Sequence, residues 1–70
     1  MKHIQTFTHG LDVPVSLHQR VNGEFVVMYG MHTRSGLDYD AASRELGECI
    51  MHSLACRGVI DTDPDLIVSA

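Results

Sequence analysis

Lysine occurs once in the 70 residues, at Lys2, and five basic side chains face nine acidic ones, for a formal net charge of −4. Binding to nucleic-acid phosphates depends on clustered Lys and Arg, so this balance weighs against a nucleic-acid partner. No apolar run approaches the roughly 18 residues that a membrane span requires. The first residues also lack the apolar core of a signal peptide. No membrane partner is expected.

Cysteine occurs only at Cys49 and Cys56. On one helix, at about 1.5 Å rise per residue, their Cα atoms stand about 10 Å apart, beyond the reach of a disulfide. Two free thiols fit a reducing compartment, and the expected location is cytoplasmic. Glycine-rich phosphate loops, paired-histidine metal motifs and a G-x-S-x-G nucleophile turn are all absent. A chain this short also has little room for a pocket of several hundred Å3. The chain therefore reads as no enzyme, with no catalytic residue, no cofactor and no metal ligand set.

What is present argues for a fold. A hydrophobic content of 44% is too high for a disordered chain, and the length suits a single domain over 1–70. The segment 39–57 carries helix periodicity, with Tyr39, Ala42, Leu46, Cys49, Ile50, Ser53 and Leu54 forming one stripe and Asp40, Arg44, Glu48 and, at the margin, Glu45 the opposite face. Asp38 is placed as N-cap and Gly58 as the left-handed residue after the last turn, with Val59 folding back on Leu54. Gly47 is a blemish costing about 1 kcal/mol relative to Ala in a helix interior.

Ahead of the helix, β-prone runs at 3–8, 15–21 and 25–32 predict three antiparallel strands. Asn22-Gly23 is a strong signal for a two-residue hairpin turn. That turn pairs Val21 with Glu24, Arg20 with Phe25, His18 with Val27 and Leu17 with Met28. Val15, Leu17, Val21, Val26 and Met28 then share one face, with Gly30 leaving room for a close neighbour. Phe25, Val27, Tyr29 and Met31 share the other, opposite His18 and Arg20. Thr33 to Gly36 reads as a polar loop, Asp61 to Asp65 as an acidic turn, and Leu66-Ile67-Val68 as a fourth short strand in the tail 61–70 or a segment used in assembly. The expected fold is a two-layer α+β domain in β-β-β-α order with the helix on one sheet face.

One helix covers only one face of a small sheet. The apolar second face therefore needs a partner, and the expected interface is Phe25, Val27, Tyr29 and Met31, rimmed by Arg20 and His18. This predicts a small accessory or regulatory protein acting through protein–protein contact, self-associating as a homodimer or meeting another protein. A rival reading uses Phe25, Tyr29 and Arg20 as a base-stacking platform for single-stranded nucleic acid. A third makes Cys49, His52 and Cys56, at i, i+3 and i+7, a thiol or metal centre. It lacks the fourth ligand that a closed zinc site needs. The β-β-β-α order occurs in many unrelated small modules and licenses no function alone.

Overall fold

A computed structural model describes residues 1–58 and 60. It contains β1 (Lys2–Phe7), β2 (Val15–Gln19), β3 (Phe25–Tyr29), β4 (His32–Leu37) and α1 (Tyr39–Arg57). The strands form one antiparallel sheet in the order β1-β2-β3-β4, and α1 lies across β2, β3 and β4. The fold is two-layer α+β, as expected. The expected tail strand at 61–70 and the Val59–Leu54 contact lie outside the described residues.

The helix begins and ends where its sequence signals stand. The Asp38 carboxylate accepts from Ala41 N at 2.8 Å, and Gly58, at φ +82°, donates its N–H to the carbonyls of Ala55 and Leu54. Ala42, Cys49 and Ser53 are its fully buried residues, and Leu46, Ile50 and Leu54 are half-buried beside them. Tyr39 departs from the expected stripe: it is largely exposed, its ring standing edge-on to Phe25 at 6.4 Å. A Cβ at Gly47 would meet nothing within 4 Å, so packing gives no reason for glycine there.

Ser53 holds the helix to the rest of the chain. Its hydroxyl donates to the Val13 carbonyl and accepts from Val13 N, both at 2.9 Å, and the side chain is wholly buried. This pair of hydrogen bonds pins the connection between β1 and β2, which sends Leu11 into the core beside Val15, Val27, Leu37, Ala42 and Cys49. Gly30 has room for that connection, as expected: a Cβ there would lie 3.3 Å from Val13 Cγ1.

The β2–β3 turn corrects the expected register. Arg20 and Glu24 close the loop, with Arg20 N donating to Glu24 O at 2.8 Å and Gly23 N donating to Arg20 O at 2.9 Å. Gly23 alone has positive φ, at +93°; Asn22 does not, so its side chain accepts from Glu24 N instead of entering a type I′ turn. The loop is therefore Val21-Asn22-Gly23, the three-residue form in which glycine takes the left-handed position of a bulge. Val15 pairs with Tyr29, Leu17 with Val27 and Gln19 with Phe25. A slip of one residue exchanges the two faces of a strand. Phe25, Val27 and Tyr29 consequently lie under the helix with Val15 and Leu17, whereas Val26 and Met28 lie on the outer face with Ser16 and His18.

The expected long third strand is two strands. Gly30, at φ +58°, and Met31 form a two-residue turn between the paired Tyr29 and His32. Positive φ at the first central residue is how a type II′ turn is entered. The expected polar loop at 33–36 is then most of β4. It shows no apolar alternation because it is an edge strand burying only Leu37. Between Val27↔Arg34 and Phe25↔Leu37 the chain carries an extra residue, and Gly36 sits there at φ +69°, the backbone that a glycine bulge uses.

Candidate functional site

The six residues expected to form one interface do not share a surface. Val27 is in the core, Phe25 and Tyr29 are half-buried beneath α1, and Met31 is fully exposed in the β3–β4 turn. Arg20 is exposed at the closing end of the β2–β3 loop. His18 lies on the outer face, within hydrogen-bonding distance of Ser16. The physical cause is the one-residue register change. It also removes the base-stacking platform, because Phe25 and Tyr29 face the helix.

What the fold brings together is a groove between the β3–β4 turn and the middle of α1. Its volume is ≈ 610 Å3, larger than the chain length suggested, and it is wide open to solvent. Tyr29, Met31 and His32 line one side and Glu45, Glu48, Cys49 and His52 the other. Helical spacing puts the last four on one flank of α1, at i, i+3, i+4 and i+7.

Two polar contacts tie the sides together. Tyr29 Oη lies 2.8 Å from His52 Nδ1, with the rings edge to face. Glu45 receives His32 Nε2 at 3.8 Å on one oxygen and Arg34 Nη1 at 4.0 Å on the other. Exposed pairs of this kind are worth about 0–1 kcal/mol each. They orient the turn more than they stabilise it. Glu45 is largely covered and also accepts from Cys49 Sγ at 3.8 Å. Burial first, then the Glu45 carboxylate, pushes the Cys49 thiol above its ordinary value. A thiol held protonated is a poor nucleophile and a poor metal ligand.

Cys56 is different: it is exposed. Its sulfur lies 3.7 Å from His52 Nδ1 and 3.9 Å from Nε2. Near-equal distances to both nitrogens put the sulfur beside the ring instead of along either lone pair. Nδ1 already has Tyr29 as partner, so His52 is not arranged as a base for this thiol. Cys49 turns to Glu45 while Cys56 turns to His52, which separates the thiols of the Cys49, His52 and Cys56 trio. Among the described residues no three His, Cys, Asp or Glu side chains gather to hold one ion.

The sequence reading missed the Tyr29–His52 contact and the position of Glu45 between His32 and Arg34. Both depend on β4 being a strand, and the one signal for it was Gly30 followed by a single residue before a β-prone pair. No helix among the described residues is long and apolar enough to cross a membrane. No protein-family model, curated protein or solved structure matches the chain.

Proposed function

We propose that the protein is a small non-enzymatic accessory module of the cytoplasm that acts through protein–protein contact, and that it pairs with a second copy of itself through the groove at the β3–β4 turn. The observation that carries the reading is Met31, a large apolar side chain fully exposed at the lip of an open groove. Methionine is an adaptable contact residue, able to fill irregular gaps in a partner surface.

Charge supports a second copy as the occupant. Arg34 stands beside the turn side of the groove, where its guanidinium reaches Glu45, and the helix side carries Glu45 and Glu48. A two-fold axis sets the turn side of one copy against the helix side of the other, so unlike charges meet twice. Met31 of each copy then enters the groove of its partner. Two other routes to assembly are blunted. Both edge strands are bulged, β1 between His3 and Gln5 and β4 at Gly36, and both carry a cation, Lys2 and Arg34. Bulges and charged residues on edge strands oppose edge-to-edge pairing.

Sedimentation of the purified protein at high micromolar concentration tests the proposal. A mass of twice 7.7 kDa is expected. Met31→Asp should return it to a single chain that keeps its secondary structure, since the side chain makes no part of the core, with a thermal midpoint that no longer rises with protein concentration. A single-chain mass for the parent protein, or a dimer indifferent to Met31→Asp, overturns the groove as interface.

A further inference from the structure

The outer face of the sheet holds a second cluster, far from the groove in the strand order. His3 on β1 and His18 on β2 are direct cross-strand partners. Their rings stand edge to face with centroids 5.1 Å apart. Each ring is held through one nitrogen: His3 Nε2 lies 2.6 Å from Thr6 Oγ1, and His18 Nε2 lies 3.0 Å from Ser16 Oγ. Neither Nδ1 atom has a hydrogen-bond partner among the described residues.

We propose that His3 and His18 form a two-histidine site for a late first-row divalent ion, with zinc as the reference case. Metal-bound imidazoles use one nitrogen for the metal and give the other to a neighbouring acceptor, which sets the ring's orientation and tautomer. Thr6 and Ser16 occupy the positions of those acceptors, and both Nδ1 atoms are left for the ion. Separation fits as well. With a Zn–N bond of about 2.0–2.1 Å and roughly 1.1 Å from ring nitrogen to ring centre, each ligating ring is centred about 3.2 Å from the ion, and two at a tetrahedral angle are about 5.2 Å apart. The observed centroid separation of 5.1 Å matches that spacing, and rotation of the two side chains is what aims both Nδ1 atoms at one ion. Imidazole suits zinc, copper and nickel, and water completes the coordination of a two-ligand site on an open face.

The surroundings permit the charge. Along the same outer face, Arg20 stands two residues from His18 and Glu24 two residues from Val26, the cross-strand partner of His18. They contribute opposite signs. Lys2 alternates to the helix side of β1, as does its partner Gln19.

The test is calorimetric titration of the full chain with zinc chloride near neutral pH. One equivalent is expected. His3→Ala and His18→Ala should each weaken binding by about tenfold or more, on the scale by which lost ligation and support depress metal affinity. The double variant His52→Ala/Cys56→Ser should bind as the parent does. Zinc should also raise the thermal midpoint of the parent and not that of His3→Ala, a substitution at an exposed position that leaves the core intact. Absence of saturable binding, equal affinity in His3→Ala, or a loss confined to the His52/Cys56 variant each overturns the proposal. None of these outcomes depends on whether the protein pairs through Met31.

Discussion

Val26 and Val27 are adjacent on β3, equally buried at 1% exposure, and on opposite faces of the sheet. Val27 belongs to the core cluster under α1, with Val15, Leu37 and Ala42. Val26 is outside that cluster and has no helix over it. Its cover comes from neighbouring side chains on a mostly polar face, where its row runs through His18 to His3 and the next row is Thr6, Ser16, Met28 and Thr33. Equal burial thus has two origins. One is a layer of secondary structure, and the other is a lattice of side chains that can rearrange.

The difference bears on the need for a partner. An apolar outer face of Phe25, Val27, Tyr29 and Met31 would have been among the largest patches a monomer carries. The face that exists is built from His3, Thr6, Ser16, His18 and Thr33 around Val26 and Met28, and it tolerates water. The proposed pairing therefore rests on the groove and not on the sheet.

Charging each valine in turn separates the two kinds of cover most sharply. Val27→Glu places a carboxylate beneath the helix with no partner and should cost about 4 kcal/mol or more, enough to unfold a domain of this size. Val26→Glu should cost about 1–2 kcal/mol, since a flexible side chain on the outer face reaches water by displacing its neighbours. Chemical denaturation gives both numbers. Equal and large losses would mean that a second layer covers the outer face.

Ser53 sharpens the comparison from the helix side. Its hydroxyl satisfies both backbone groups of Val13, and each net hydrogen bond is worth about 1 kcal/mol, so Ser53→Ala should cost about 2 kcal/mol. Because that bond holds the helix layer in place, the loss should couple to Val27→Ala and add independently to Val26→Ala. A double-mutant cycle reads this directly, a coupling above about 0.5 kcal/mol being the usual sign of shared structure. Coupling of Ser53 to Val26 instead would show that the two faces are not separate.

Legibility in the sequence followed how locally each feature is determined. The helix could be read to its last residue because Asp38, Gly58 and the stripe between them act within a few positions of one another. Strand positions were nearly as clear, but their faces were not. Faces depend on a parity that one residue in a turn reverses, and β3 is apolar on both sides, so composition could not correct it. β4 escaped because an edge strand with one buried residue looks like a loop. Of the residues expected at the site, Tyr29 and Met31 do line the groove. The helix residues opposite them, Glu45, Glu48 and His52, became neighbours only through the unexpected β3–β4 turn.

The smallest expected effect tests that parity itself. Val21 is fully exposed at the tip of the β2–β3 loop, and Arg20 and Glu24 pair on either side of it. Deleting Val21 leaves Asn22-Gly23 between those two residues, the sequence that a two-residue type I′ turn prefers. The Arg20–Glu24 pair can then close unchanged, so Leu17 stays opposite Val27 and neither face of β3 moves. Stability should change by no more than about 1 kcal/mol, the gain of a favoured turn set against the cost of φ > 0 at Asn22. Amide exchange should find the same protected residues in β2 and β3. If the two-residue register operated instead, Val21 would be a strand residue paired with Glu24, and its removal would turn every side chain on one strand to the wrong side. The resulting loss would be several kcal/mol, on the scale of moving a core valine such as Val27 into water while charged or polar neighbours take its place.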